Sequence, residues 1–173
     1  ASVARAPVED RLRERAREGV RAVYEALDDL WDDDEGIYAL RIDPDGDLDS
    51  RLDSGSLALA EAHREYDAIA EVGEERLDRL ATHYETTLEG LWRETDDIAG
   101  LYRFEGDPWR RRVQDDEKIW TVSTAWGANA ATQLGSLLAA SDDDSAETFY
   151  EEARTLFAEV DADGSLVDRK SVV

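Results

Sequence analysis

The sequence lacks both cysteine and methionine throughout its 173 residues. Without cysteine the chain can form no disulfide, thiolate nucleophile or cysteine-ligated metal site. Because it lacks even an initial methionine, we expect the chain to be processed or to be one piece of a longer product. The first residues, ASVARAPVEDRL, contain no apolar run of the kind that a signal peptide requires.

Positive charge is scarce, and lysine most of all, since Lys118 and Lys170 are the two lysines of the chain. The formal net charge is −23. Like charges at this density destabilise a compact state unless salt screens them. The composition therefore favours a protein of a salt-adapted organism, and we expect the cytoplasm of such a cell. An ordinary acidic protein and an acidic nucleic-acid mimic stay open as alternatives.

No basic patch is present that could neutralise phosphates. The run Arg110–Arg112 is short, and Asp115, Asp116 and Glu117 follow it at once. We therefore expect no binding to nucleic acid or to an anionic membrane surface.

Long apolar runs are also rare, and the one charge-free stretch is IWTVSTAWGANAATQLGSLLAA, residues Ile119–Ala140. Its length would permit a membrane span. However, Thr, Ser, Gly, Asn and Gln occur throughout it, and a lipid-facing surface is rarely so polar. The stretch predicts a buried inner helix whose small residues let neighbouring helices approach closely.

The remaining pattern predicts an all-α fold of about five helices joined by long loops, in a single partial domain over residues 1–173. Apolar residues at steps of three and four predict a first helix that ends near Trp31, with Leu12 and Val23 on its buried face. Further helices are predicted from Ser54 or Ser56 to Val72, from Glu74 to Thr95, over the charge-free stretch, and after the acidic cap at 141–145. The segment 32–54 is predicted to be an ordered loop with a small hairpin at Asp45-Gly46.

Two groups of residues could be read as metal sites, but each has a simpler structural explanation. Asp43, Asp45, Asp47 and Asp49 suggest calcium, but the glycine and the final acid do not fall where an EF-hand needs them. His63 and His83 lie on different predicted helices without metal-ligand spacing, and we expect each to be at a helix surface or partly buried.

The stretch LYRFEGDPW, residues Leu101–Trp109, has the composition of a sugar site. Arg103 offers a planar fork of donors, Glu105 and Asp107 accept hydrogen bonds, and nearby tryptophans such as Trp120 offer flat apolar faces. A packed connecting loop is the alternative that composition leaves open.

The order of these motifs resembles that of the family 15 glycoside hydrolases, the glucoamylases. Arg103-Phe104-Glu105-Gly106-Asp107 is similar to the family's R-Y-E-G-D segment, and Trp120, Thr124, Trp126 and Ala128 keep the frame of the helix start that follows it. Upstream, DSGSLAL is similar to the family's D-A-S-L-L-A-L. The resemblance covers nearly the whole chain as loose motifs, and the arginine-to-tryptophan block is the most specific of them.

The resemblance implies part of an (α/α)6 toroid that hydrolyses terminal α-linked glucose of malto-oligosaccharides with inversion. One carboxylic acid protonates the leaving oxygen and a carboxylate activates water, so we expect no cofactor and no metal. Arg103, Glu105, Asp107 and Trp120 would contact the substrate.

The chain also departs from the family pattern. It offers no candidate for the general acid, and Asp168, in GSLVDR, takes the place of the family's glutamate base. We therefore expect an incomplete catalytic domain. A non-catalytic helical carbohydrate-binding or interaction module is the main alternative, and a calcium-responsive acidic protein is the third.

Overall fold

The computed structural model describes residues 9–96, 98–106 and 118–161. Within these ranges the chain forms five α-helices and two short antiparallel hairpins. The helices are α1 (Asp10–Glu25), α2 (Leu59–Asp67), α3 (Glu74–Leu91), α4 (Thr121–Ala140) and α5 (Ala146–Asp161). Short 3-10 helices cover Asp28–Leu30 and Ser54–Ala58. The predicted mainly helical class is confirmed, and the toroid remains a prediction.

The first hairpin joins β1 (Trp31–Asp32) to β2 (Ile37–Tyr38), with Trp31 opposite Tyr38. Ile42 and Leu48 form a further bridge around the Asp45-Gly46 turn. The predicted ordered loop with a small hairpin is therefore confirmed. The first helix, however, ends at Glu25 rather than near Trp31, because Trp31 already belongs to β1.

The second hairpin was not predicted. It joins β3 (Trp92–Glu94) to β4 (Ala99–Leu101), where the sequence predicted helix as far as Thr95. Leu91 and Leu101 are completely buried at its base, so tertiary burial ends α3 at Leu91. This hairpin turns the chain toward the start of α4.

The core lies around α4, as the charge-free stretch predicted. α4 packs along α5 and also contacts α2, α3 and β4. Gly135 allows the α4–α5 approach, since a Cβ there would lie 3.0 Å from the Tyr150 ring and 3.1 Å from the Ala146 carbonyl oxygen. None of the described helices is long and apolar enough to cross a membrane.

The prediction of which residues of α1 face the core is partly wrong. Leu12 is 50% exposed and Val23 is 71% exposed, and α1 buries Tyr24 instead. The Tyr24 ring stacks on Tyr66 of α2 with centroids 3.7 Å apart. Tyr24 also lies 4.9 Å from the His63 ring, and these contacts orient α1 so that Leu12 and Val23 stay exposed.

Candidate functional site

The segment that contains Arg103 is fixed on one side by the chain before α2. The Ser54 amide donates to the Arg103 carbonyl oxygen at 2.8 Å, and the Glu105 amide donates to the Leu52 carbonyl oxygen at 2.8 Å. Asp53 and Phe104 form an antiparallel bridge between these two bonds. The predicted sugar segment is therefore held as one strand of a short ladder.

The other side of the segment is fixed by the beginning of α4. The Trp120 amide donates to the Leu101 carbonyl oxygen at 2.8 Å, and the Leu101 amide donates to the Thr124 hydroxyl at 3.0 Å. Ser54 and Ser123 join their buried hydroxyls at 2.8 Å. Three elements distant in sequence therefore meet where α4 begins.

This junction brings two of the predicted site residues together. The Arg103 guanidinium carbon lies 4.5 Å from the centroid of the Phe104 ring and 5.5 Å from that of Trp120. These distances fit cation–π contacts. All three side chains are partly exposed. We call Arg103, Phe104 and Trp120 the arginine–aromatic cluster.

Two carboxylates lie on the ladder beside the cluster. Glu105 is exposed, and its Oε2 accepts from the Leu52 amide at 3.4 Å. Asp53 Oδ1 accepts from the Gly55 amide at 2.7 Å and caps the 3-10 helix, where the sequence predicted a serine cap. Both carboxylates therefore already bond backbone amides. The predicted site residues Asp107 and Asp168 lie outside the described residues.

Sequence reasoning passed over Phe104 and Asp53 as parts of this site. The sequence could have indicated Phe104 as a site residue, because it lies between Arg103 and Glu105 in the predicted sugar segment. The sequence could also have predicted Asp53 as an Asx-type cap, because Asp followed by Ser-Gly-Ser is a common start of a helical turn.

Comparison with protein-family models, curated proteins and solved structures found no match. The case for a function therefore depends on the residues themselves.

A second group of polar side chains is buried between the first hairpin and helices α2 and α3. His63 and His83 are each 1% exposed, so the prediction of surface or partly buried histidines is wrong. The Tyr38 ring lies 5.5 Å from His83 and 6.1 Å from His63, centroid to centroid. Tyr38 of the first hairpin therefore lies against both imidazoles, and Tyr24 of α1 lies 4.9 Å from that of His63.

Burial favours the neutral form of both histidines. It lowers the pKa of His63 and lowers that of His83 to about 4. The Tyr38 amide donates to His83 Nδ1 at 3.1 Å, so the ring proton of His83 is on Nε2. Nε2 is buried without a hydrogen bond of good geometry, but the Ser56 backbone interacts with the ring and offsets part of the effect of burial on its pKa. No three histidine, aspartate or glutamate residues in the described part of the chain are grouped as they would be around a metal ion.

One cavity lies at the opposite end of α4, away from the cluster. It measures about 570 Å³ and is lined by both acidic and apolar residues, the apolar ones including Val72, Leu77 and Leu137. Its acidic lining comes from Asp67, Glu71, Glu74, Asp78 and Asp143. α4 is about 30 Å long at 1.5 Å per residue. The cavity is therefore separate from the arginine–aromatic cluster.

Proposed function

We propose that the arginine–aromatic cluster binds a neutral sugar, and that the chain is the sugar-contacting region of a glucoamylase-like inverting glycosidase. The substrate would be terminal α-linked glucose of malto-oligosaccharides. The observation that supports the proposal most directly is the position of the Arg103 guanidinium, 5.5 Å from the Trp120 ring centroid. The sequence motif predicts the same pair of residues.

The physical argument concerns the two kinds of surface on a sugar. One face of a pyranose ring carries C–H groups and packs on an aromatic plane, while the hydroxyls at its edge require hydrogen-bond partners. Trp120 supplies the plane and Arg103 supplies a fork of N–H donors. Glu105 is exposed on the same strand and can accept from a hydroxyl. A neutral ligand also brings no charge to a protein of net charge −23.

Hydrolysis with inversion requires an acid and a base roughly 6.5–9.5 Å apart. Asp168 is the proposed base. A specific observation favours a second candidate, a sugar-binding module without turnover: Glu105 and Asp53 both accept backbone amides. Glu105 thereby supports the ladder and Asp53 caps the 3-10 helix, so both carboxylates make structural contacts.

Binding is tested by titrating maltose and maltoheptaose into the chain in concentrated KCl, with tryptophan fluorescence and calorimetry as readouts. Arg103→Lys keeps the charge but removes the planar fork, so we expect affinity to fall at least tenfold. Arg154→Lys is the matched control, because Arg154 lies on α5 in an exposed ion pair with Glu147 at 3.1 Å. Equal affinities for the two variants would contradict the proposed site.

Turnover separates the two candidate functions. Glucose release from maltoheptaose that is abolished by Asp168→Asn would support the hydrolase. Saturable binding without glucose release would fit the non-catalytic module, and would fit equally a catalytic domain that lacks its general acid. If neither sugar binds in concentrated KCl, both candidate functions are wrong.

A further inference from the structure

Helices α3 and α5 both pack on α4, and they also meet each other. The Tyr84 ring of α3 contacts the Phe149 ring of α5 edge to face, with centroids 5.7 Å apart. Further along both helices, the Cδ1 atoms of Leu156 and Leu88 lie 3.4 and 3.5 Å from the position that a Cβ on Gly127 of α4 would take. We call the line from Tyr84 and Phe149 to Leu88 and Leu156 the α3–α5 seam.

A buried hydroxyl and a half-buried carboxyl lie in this seam. Tyr84 is 1% exposed, and its hydroxyl has no hydrogen bond of good geometry within the described part of the chain. Glu152 is half-buried on α5, three residues after Phe149 and therefore on the same side of the helix. Its carboxyl interacts with the Tyr84 hydroxyl. The seam therefore joins two polar groups at a depth where a charge is costly.

The groups that face Glu152 favour its neutral form. Glu85 follows Tyr84 on α3 and adds a like charge from an exposed position. Helix α4, the third element at the seam, has no charged residue from Thr121 to Ala140. Burial and the Glu85 carboxylate raise the pKa of Glu152, and the Tyr84 hydroxyl offsets part of this rise. None of the described arginines or lysines acts on this carboxyl to reverse the effect.

We propose that Tyr84, Glu85 and Glu152 form a pH-sensitive contact that holds α3 to α5. The Glu152 carboxyl can accept from the Tyr84 hydroxyl whether or not it is protonated. Protonation therefore keeps this contact and removes the repulsion from Glu85. Ionisation places a charge in a half-buried position beside a second carboxylate, so the two helices separate more easily.

The contact responds to pH in the opposite direction to the buried histidines. Because the pKa of Glu152 is raised in the folded chain, its stabilising contribution is fully present below the ordinary value of 4.5 and is lost as the pH rises through the folded value. His63 and His83, whose pKa values are lowered, make folding less favourable as the pH falls. Acid therefore tightens the α3–α5 seam while it weakens the side of α3 that faces the first hairpin.

Hydrogen exchange of the α5 amides at 152–156, followed by NMR at a fixed KCl concentration, tests the proposal. Glu152→Gln is neutral at every pH and keeps the shape of the protonated carboxyl. Its amides at about pH 7.5 should be protected roughly threefold or more over those of the wild type, because the variant has no charge in the seam. The difference should disappear as the pH falls toward 4.5.

Glu151→Gln is the matched control, because it removes the same charge from the neighbouring, exposed position on α5. It should leave the exchange rates nearly unchanged. If Glu151→Gln protects these amides as much as Glu152→Gln does, general repulsion in a chain of net charge −23 explains the effect and the proposal is wrong.

The titration of the Glu152 side-chain carbon, also read by NMR, is a second and direct measurement. Tyr84→Phe keeps the ring contact with Phe149 but removes the hydroxyl, so the pKa of Glu152 should rise further. Glu85→Gln removes the like charge, so the pKa should fall. A wild-type Glu152 that titrates at the ordinary 4.5, or that responds to neither substitution, would overturn the proposal.

Discussion

His83 shows how one side chain can make stability depend on pH. Its Nδ1 accepts the Tyr38 amide and its ring is 1% exposed, so the folded chain accommodates only the neutral imidazole. The pKa of His83 falls from 6.5 to about 4 because burial penalises the charged form. As the pH falls, the unfolded chain therefore binds a proton before the folded chain does.

We predict that His83 makes folding less favourable as the pH falls from 6.5 toward 4. Its contribution is fully present above pH 6.5, where both states are neutral, and is lost across this window by an amount on the order of 3 kcal/mol. Buried His63, whose pKa is also lowered, acts in the same direction. Urea unfolding followed by circular dichroism between pH 7.5 and 4 measures the effect.

His83→Asn is the informative variant, since its Oδ1 can take over the Tyr38 amide but does not titrate in this range. Protonation of the many carboxylates affects both proteins alike and cancels in the comparison. The free energy of unfolding of the variant should depend less steeply on pH than that of the wild type. Parallel pH profiles would contradict the assigned role of His83.

At the scale of elements, the junction of β4 with α4 depends on one glycine. A Cβ on Gly100 would collide with the Thr124 side chain and lie 2.8 Å from Ile119 Cγ2. Thr124 cannot withdraw, because its hydroxyl accepts the Leu101 amide. The side chain that excludes a larger residue at position 100 thus also holds β4 in place.

We predict that Gly100→Ala lowers the free energy of unfolding by about 1–3 kcal/mol, the usual cost of overpacking. Gly19→Ala is the control. Gly19 lies within α1 with nothing within 4 Å of a Cβ, so alanine should stabilise that helix by about 0.5–1 kcal/mol. Urea denaturation of both variants measures the two opposite changes. Stabilisation by Gly100→Ala would show that the junction is not tightly packed.

The elements also show how far the sequence predicts the structure. Periodic apolar residues located α3 and α5, because each of these helices buries one side against a neighbour, and the absence of charge located α4 as the inner helix. The apolar period could not predict the rotation of α1, which depends on contacts of Tyr24 with residues of distant elements such as His63 and Tyr66. Nor could it reveal β3 and β4, three residues each, since such short strands depend on their tertiary contacts.

The sequence predicted which residues form the candidate site better than it predicted how they are arranged. Arg103 and Trp120 were singled out from chemistry and motif, and they lie together in the structure. Their meeting depends on backbone bonds from Leu52 and Ser54, about fifty residues earlier in the chain. No local pattern encodes such a pairing.

At the scale of the whole molecule, repulsion within a net charge of −23 destabilises the folded chain. Ion pairs between arginines and carboxylates offset only part of this repulsion. One pair is the fork of Arg76 on Asp28, with Nη2 at 2.6 Å from Oδ2 and Nε at 3.1 Å from Oδ1. Its hydrogen bonds hold the pKa of the Asp28 carboxyl below its usual value. Most carboxylates lie at the surface, where salt screens their mutual repulsion.

We predict that the melting temperature rises as KCl increases from about 0.1 M to 1 M, over which the Debye length falls from about 10 Å to 3 Å. A variant with Asp29→Asn, Asp34→Asn, Glu71→Gln and Asp144→Asn removes four exposed charges. It should melt higher than the wild type at low salt and respond less to added KCl. Differential scanning calorimetry of both proteins across this range of KCl measures the two effects. Equal salt responses would mean that ion-specific effects on apolar burial, rather than screening, stabilise the fold in salt.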